Sequence, residues 1–376
     1  MPWKEVTKMS SKLEFVRLAQ EKNASISELC QRFNISRKTG YKLLNRYKTQ
    51  SLFGLEEQTR RPHHSPARTP ETIEQKIIQA RKRKPSWGGR KIRAWLLNQQ
   101  EKNIPAASTI TDILNRHGLI EKRDHKPLSP LQRFEHEAPN DLWQADFKGH
   151  FAMRKGRCHA LTVLDDHSRY SIGLRACDNE RADTVKSHFI ELFEAYGLPW
   201  RMNFDNGTPW ASAHTKHYRY TELSIWLIRL GIKVSFSRLR HPQTNGKDER
   251  FHRTLKAELL QYHYFWDLTE AQRAFDQWRN DYNFDRPHEA LGMKPPVSRY
   301  TISQRKYSSV LPDIEYRTTD IVRKVNKAGN ISVNNKKYFI SESLQGLPVA
   351  LREYAEGQYQ VYFCQQKLFG IDLRAG

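Results

Sequence analysis

Asp146 closes the apolar stretch Leu142-Trp-Gln-Ala145, Asp205 follows Met202-Asn-Phe204 and leads into Asn206-Gly207, and Glu249 stands just after the turn-rich Arg240-His-Pro-Gln-Thr-Asn-Gly246. Each lies where a strand or helix meets a loop, and in a mixed α/β sheet the converging strand ends are where reactive groups are grafted. Two or three carboxylates gathered there can hold a hard cation such as Mg²⁺, which takes oxygen ligands from protein and phosphate jointly. Two such ions about 3.5 to 4 Å apart activate an attacking oxygen and stabilise a leaving one, the chemistry of phosphodiester cleavage. Each residue also has a plain structural reading. Asp205 before Asn-Gly suits a turn, Asp146 suits a strand end in water, and Glu249 is favoured by the dipole of a helix N-terminus. Asp248 and Glu258 are alternatives to Glu249. Asp165 and Asp166 are weaker candidates, because Asp165-Asp-His-Ser-Arg169 also reads as a hairpin turn.

The elements that must position these acids follow from periodicity. Leu142 to Phe147, Cys158 to Leu164 and Tyr170 to Ala176 read as three strands of a meander. A helix Ala182 to Tyr196, a strand Arg201 to Phe204, a helix Thr221 to Leu230, a strand Ile232 to Phe236 and a long helix from Lys247 come next. That order predicts a mixed α/β sheet flanked by helices. Beyond Pro295-Pro296, six short strands between Asp320 and Ile371 predict a small β-barrel.

The front of the chain is helical. Leu13, Phe15, Val16 and Leu18 fall at helical spacing, Ser27 opens a second helix, and Ser36 caps a third in which Leu43, Leu44 and Tyr47 share a face. Arg37, Lys38, Lys42, Asn45 and Arg46 cover the rest of that third helix, the pattern of a helix-turn-helix with a basic recognition helix. A second such unit opens at Pro70, passes through Trp87-Gly-Gly-Arg-Lys-Ile92 and ends with a helix capped by Ser108. Arg90 and Lys91 are its candidate DNA contacts.

Composition points the same way. The chain has 376 residues and 63 Lys and Arg against 41 Asp and Glu, a net charge of +22, so a polyanionic partner is expected. Residues 1–138 hold 28 of those cations and 14 of the acids. A membrane role is not expected, since apolar runs such as Leu223 to Arg229 fall far short of the ~20 residues of a spanning helix. The N-terminus has no secretory apolar core either. Cys30, Cys158, Cys177 and Cys364 form no C-x-x-C pair, which predicts free thiols rather than a disulfide framework or Cys-rich zinc site.

Four stretches carry a family resemblance: Asp141-Leu-Trp-Gln-Ala-Asp-Phe147, Leu164-Asp-Asp-His-Ser-Arg169, Phe204-Asp-Asn-Gly207, and His241 to Glu258 with its Pro-Gln-Thr-Asn-Gly-Lys-Asp-Glu-Arg run. Together they resemble the catalytic core of Asp-Asp-Glu transposases of bacterial insertion sequences, relatives of retroviral integrases. The resemblance implies an RNase H-like core with Asp146, Asp205 and Glu249 as catalytic and metal-binding residues, and two Mg²⁺ ions for which Mn²⁺ can substitute. It implies DNA as partner, both the terminal inverted repeats and the target, with a homo-oligomer assembled on it in the bacterial cytoplasm at the nucleoid. His241, Gln243, Asn245, Arg253 and Lys256 are the expected DNA contacts beside the triad, and a basic residue seven after the Glu is a family trait. The 43 residues between Asp205 and Glu249 exceed the family's usual interval, the extra length lying around Ala211 to Tyr220, where a surface loop tolerates insertion.

The expected fold is thus multidomain. Helix-turn-helix units at 1–50 and 70–120 follow one another across a linker at 51–69. A second linker at 121–138 leads to an RNase H-like α/β mixed-sheet catalytic core at 139–300, and a C-terminal β-barrel occupies 312–376.

Overall fold

The computed structural model describes residues 7–57, 68–120, 135–212, 220–237 and 246–374. The chain divides into two compact units, Met1–Arg68 and Thr69–Gly376.

In the first unit, α1 (Lys8–Ala19), α2 (Ile26–Arg32) and α3 (Arg37–Gln50) lead into a 3₁₀ turn, Ser51–Leu55. Phe15, Val16, Cys30, Leu43 and Leu55 make its core. Two glycines allow the close packing. A Cβ on Gly40 would stand 2.6 Å from the Cys30 sulfur, and one on Gly54 would stand 2.2 Å from the Arg46 carbonyl oxygen. Ser36 caps α3 as expected, accepting from Thr39 N at 3.2 Å. The cap of α2 is Ser25 rather than Ser27, because Ser25 lies three residues before Glu28, whose N–H it accepts, and this start turns Ile26 toward the core.

The second unit opens with α4 (Glu71–Arg83), α5 (Gly89–Asn98) and α6 (Ala107–Arg116) around Ile77, Trp87, Ile92, Ile110 and Leu114. Ser108 lies inside the first turn of α6, which starts after Ala106 without a side-chain cap. Gly89 packs against that start; a Cβ there would be 2.4 Å from the Ala107 carbonyl oxygen.

A five-stranded sheet follows, built from β1 (Trp143–Ala152), β2 (Arg157–Asp165), β3 (Ser171–Cys177), β4 (Arg201–Phe204) and β5 (Lys233–Phe236) in the order β3-β2-β1-β4-β5. The meander β1-β2-β3 is antiparallel, whereas β4 and β5 run parallel to β1. α7 (Ala182–Tyr196) and α8 (Glu222–Arg229) share one apolar cluster with Trp143, Leu161 and Val163, while α9 (Gly246–Leu255) and α10 (Leu268–Asn280) share another with Cys158, Ala160 and Leu174. Strand alternation thus feeds two helical layers. The helix α10, with Phe275 and Trp278 inward, was not anticipated from the sequence.

The C-terminal strands fall close to the expected positions but do not close. β6 (Ile321–Lys324), β9 (Pro348–Ala355), β10 (Gln358–Phe363) and β11 (Gln366–Asp372) make an open sheet ordered β11-β10-β9-β6, and β7 (Asn330–Val333) with β8 (Lys336–Phe339) makes a separate hairpin. The physical reason is that Val325, Val333, Leu351 and Phe363 belong to the same apolar cluster as the α7–α8 layer, so the strands bury their face against the core rather than around themselves. All four cysteines are free, and burial pushes the Cys158 and Cys177 thiols up to about 12. Among the described residues no helix is long and apolar enough to cross a membrane.

Candidate active site

The parallel register Trp143↔Met202 and Gln144↔Asn203 carries β1 and β4 forward side by side, so Asp146 and Asp205, each two residues past Gln144 and Asn203, reach matching positions on neighbouring strands. Asp146 Oδ1 accepts its neighbour Phe147 N at 2.8 Å, and Asp205 Oδ1 accepts Gly207 N at 3.0 Å. Gly207 fits closely there, since a Cβ would lie 3.2 Å from Asp205 Oδ2. The loop is tied to β5 by Asn206 Nδ2 donating to Ser237 O and Ser237 N donating to Phe204 O, and is floored by Trp210 stacked 4.7 Å from Phe204.

Burial and then the Asp205 charge push the Asp146 carboxyl up to about 7. Burial also raises Asp205. Glu180, just beyond β3, adds negative potential to both, and its Oε1 meets His159 Nδ1 at 2.7 Å. Glu180 was missed in the sequence; its place one short loop after a strand of the meander was the available signal.

α9 approaches through its apolar side. Phe251, Leu255 and Leu259 set the inward face, and Asp248 and His252 lie on it at helical spacing. Thr162, the cross-strand partner of Asp146, donates to the Asp146 carbonyl oxygen at 2.9 Å and so accepts from His252 Nε2 at 2.8 Å. Burial lowers His252 to about 4, so the ring is neutral with its proton on Nε2. The same geometry turns Glu249 out. Glu249 is exposed along with Arg253 and Lys256, and the fully buried Asp248 is the acid that faces Asp146 and Asp166. Asp248 Oδ1 has no hydrogen-bond partner. Among the described residues no three His, Cys, Asp or Glu side chains lie close enough together to hold a metal. The structure thus brings together two of the three expected acids and leaves the third on the outer face of α9.

Asp165 and Asp166 are consumed by structure. Asp165 accepts Asn140 N and the N–H and hydroxyl of Ser168; Asp166 accepts His136 N and Gln144 Nε2 and pairs with Lys247 at the start of α9. Glu258, the other alternative, pairs with Arg286 at 2.9 Å.

The expected DNA contacts divide similarly. Arg37, Lys38, Lys42 and Asn45 are exposed along α3. Arg46 is half-buried and donates to Glu56 O at 2.8 Å, holding the turn that follows. Arg90 is mostly exposed and pairs with Glu289 at 3.3 Å. Lys91 is turned inward, and burial with the nearby Arg286 lowers it to about 8. His241, Gln243 and Asn245 lie outside the described residues.

An integrase core domain is matched over residues 136–242 and again over 230–296. A helix-turn-helix domain is matched over 11–63, a homeodomain-like domain over 39–114, and the C-terminal domain of IS481 family transposases over 320–376. An IS136 insertion-element protein of Agrobacterium fabrum is 32% identical over 178 residues, 39% of this chain and 90% of the relative. An IS407 insertion-element protein of Burkholderia multivorans is 30% identical over 162 residues, 42% of this chain and 54% of the relative. The transposase of IS904 from Lactococcus lactis is 27% identical over 169 residues, 44% of this chain and 63% of the relative. The chain spans about half the length of several curated relatives it matches. The HTLV-2 integrase catalytic core domain in complex with magnesium overlaps 44% of this chain and 98% of its own, at 20% identity and a TM-score of 0.34. With an integrase core between helix-turn-helix domains and an insertion-sequence C-terminal domain, the chain belongs to the insertion-sequence transposases with an integrase-type core.

Proposed function

We propose that this protein is a DNA transposase that binds the terminal inverted repeats of an insertion sequence and carries out metal-dependent DNA cleavage and strand transfer. The observation that carries the reading is the Asp146 and Asp205 pair at matching positions of two parallel strands, Asp146 within β1 and Asp205 just past β4, inside the integrase-core match. The pair fits Mg²⁺, which binds through one or two carboxylates and completes its shell with water and phosphate oxygens. The raised carboxyls fit as well, because a cation offsets the burial, and the added negative potential, that hold protons on them. Two Mg²⁺, or Mn²⁺ in their place, held by Asp146, Asp205 and Glu249 would supply an activated attacking oxygen and a stabilised leaving one.

The chain's own residues do the rest. For Glu249 to join the pair, the first turn of α9 would have to rotate by about 100°, one residue's step of a helix, exchanging Glu249 with the buried Asp248. Arg253 and Lys256, exposed on the same side as Glu249, hold the DNA backbone next to the scissile bond, joined by His241, Gln243 and Asn245 from the preceding loop. The helix α3 enters the major groove with Arg37, Lys38, Lys42 and Asn45, while Arg46 keeps that helix seated. Arg90 adds a phosphate contact from the second helical unit; Lys91 supports it from within. Two element ends must be joined, so the working form is a homo-oligomer on DNA.

Labelled element-end DNA and a supercoiled plasmid, incubated with the protein in Mg²⁺ or EDTA and resolved on a denaturing gel, test the reading. Metal-dependent cuts together with end-joined product are expected. Binding without products in Mg²⁺ and Mn²⁺ would instead identify a catalytically inactive DNA-binding regulator, the outcome that the outward Glu249 would then explain. Cuts without joining would identify an RNase H-like nuclease.

A further inference from the structure

We propose that Glu258 is a positioning residue. With Trp87 and Arg286 it fixes the α4–α6 helical unit to the far end of α9, so that DNA held by that unit meets Asp146 and Asp205 in a single register. The inference rests on the transposase reading for its activity readout, and on the geometry of the joint for the rest.

The helix α9 continues past Leu255 into a π turn, Lys256–Leu260. Glu249 and Glu258 therefore lie on one continuous rod, nine residues or about 14 Å apart along it. Glu258 gathers donors from two other elements. Trp87 Nε1 donates at 3.2 Å and Ser86 Oγ at 3.3 Å from the loop between α4 and α5, and Arg286 Nε donates at 2.9 Å from beyond α10. Trp87, at 1% exposure, and the Arg286 and Glu258 side chains, at 7% and 11%, are withdrawn from water, while Ser86 lies at the exposed rim of the joint. Arg81 braces the loop from behind by donating to the Trp87 carbonyl oxygen at 2.7 Å.

Two ion pairs flank the joint. Lys84 pairs with Asp281, and Arg90 meets Glu289, which also receives Arg250, the residue next to Glu249. No apolar cluster crosses this seam among the described residues: the core of α4–α6 contains no residue of the sheet or its helices, and neither of their clusters contains a residue of α4–α6. Apolar contact is non-directional, whereas hydrogen bonds lose strength steeply off axis. A seam held by a buried carboxylate with an indole, a hydroxyl and a guanidinium thus sets orientation, and buried ionic groups are better attested for such specificity than for stability.

The full-length chain, as Glu258→Gln and Trp87→Phe variants, decides the matter. Gln keeps an acceptor of the same shape without the charge, and Phe keeps the apolar bulk without the indole N–H. Three readouts are compared with wild type: hydrogen exchange over residues 84–92, affinity for element-end DNA, and the cleaved phosphodiester mapped at nucleotide resolution. Both variants are expected to exchange faster over 84–92 and to bind ends within about twofold. Both are expected to spread the cut over neighbouring positions, losing about ten- to a hundredfold at the correct one, the scale of a misplacement near 1 Å. A role confined to stability would slow every cut equally without moving it. A single unshifted cut in a variant with accelerated exchange overturns the proposal, and so does unchanged exchange in both variants. If wild type itself makes no cut, the transposase reading fails while the exchange measurement still judges the joint.

Discussion

At Asp146 a carboxyl stands with little water around it and a second carboxylate as its neighbour, a costly arrangement for folding and a useful one for binding a cation. The unfolded chain gives up this proton near 3.9 and the folded chain near 7. Between those values the folded state binds more protons, so this group's contribution to stability falls as pH rises through that window and is at its most unfavourable above 7. Asp146→Asn should therefore raise the melting temperature at pH 8 by a few degrees, on the order of 2 kcal/mol after solvent screening, and leave it unchanged near pH 3. Cleavage should vanish in the same variant, as it should in Asp205→Asn, with end binding nearly intact in both. Thermal melts at the two pH values beside a gel assay check this; a cleaving Asp205→Asn protein would remove Asp205 from the catalytic set. The two aspartates stood out in the sequence because each follows an apolar stretch, yet only Asp205 lies at a strand end; β1 runs on past Asp146 to Ala152, and the two acids meet where β1 and β4 lie side by side. The orientation of Glu249 was not legible there, since the choice between it and Asp248 depends on which side of α9 Phe251 and Leu255 bury, and adjacent residues on a helix differ by about 100°.

The helix proposed to read DNA shows what element-level reading captures. α3 carries its apolar residues inward and leaves Arg37, Lys38 and Lys42 in solvent, with Arg37 and Lys38 in the first turn, where a groove-reading helix meets DNA. Replacing Arg37 and Lys38 by Ala should weaken end binding and lower the slope of log affinity against log salt by about one for each phosphate left without its cation. Titrations between 50 and 200 mM salt measure it, and an unchanged slope would move recognition to another element. Periodicity placed many helices and strands of the described residues to within a residue or two, but it missed α10 and stopped β1 five residues short, and it could not assign Arg46 and Lys91. Both look like free cations in a one-dimensional pattern. Arg46 is drawn away by the carbonyl of Glu56, ten residues on, and Lys91 is buried near Arg286, Glu258 and Glu289, which are remote in sequence and near only after folding. The closure of the C-terminal strands was equally out of reach, because six short strands with alternating apolar residues serve a barrel or an open sheet covered by a neighbour.

On the scale of the whole molecule, what covers the C-terminal sheet also protects the core. β5 is an edge of the five-stranded sheet, and an open edge invites pairing with other chains. Gln366 of β11 sits against it, its Oε1 accepting the Val234 N–H at 3.2 Å, and Leu344, Leu351 and Phe363 extend the cluster that contains Val234 and the apolar face of α8. The C-terminal strands are therefore part of the second unit's cooperative fold, whereas Met1–Arg68 has a core of its own. Calorimetry of the intact chain should show two transitions. Ending the chain before Asp313 should lower the transition of the larger unit by about 5 °C or more and promote association through the bared β5 edge, leaving the smaller unit's transition where it was. An unshifted transition together with a monodisperse profile in size-exclusion chromatography would show instead that the core closes without its C-terminal cover. The truncated protein would then bind element ends as the intact chain does, since the helix proposed to read DNA belongs to the unit that the deletion leaves untouched.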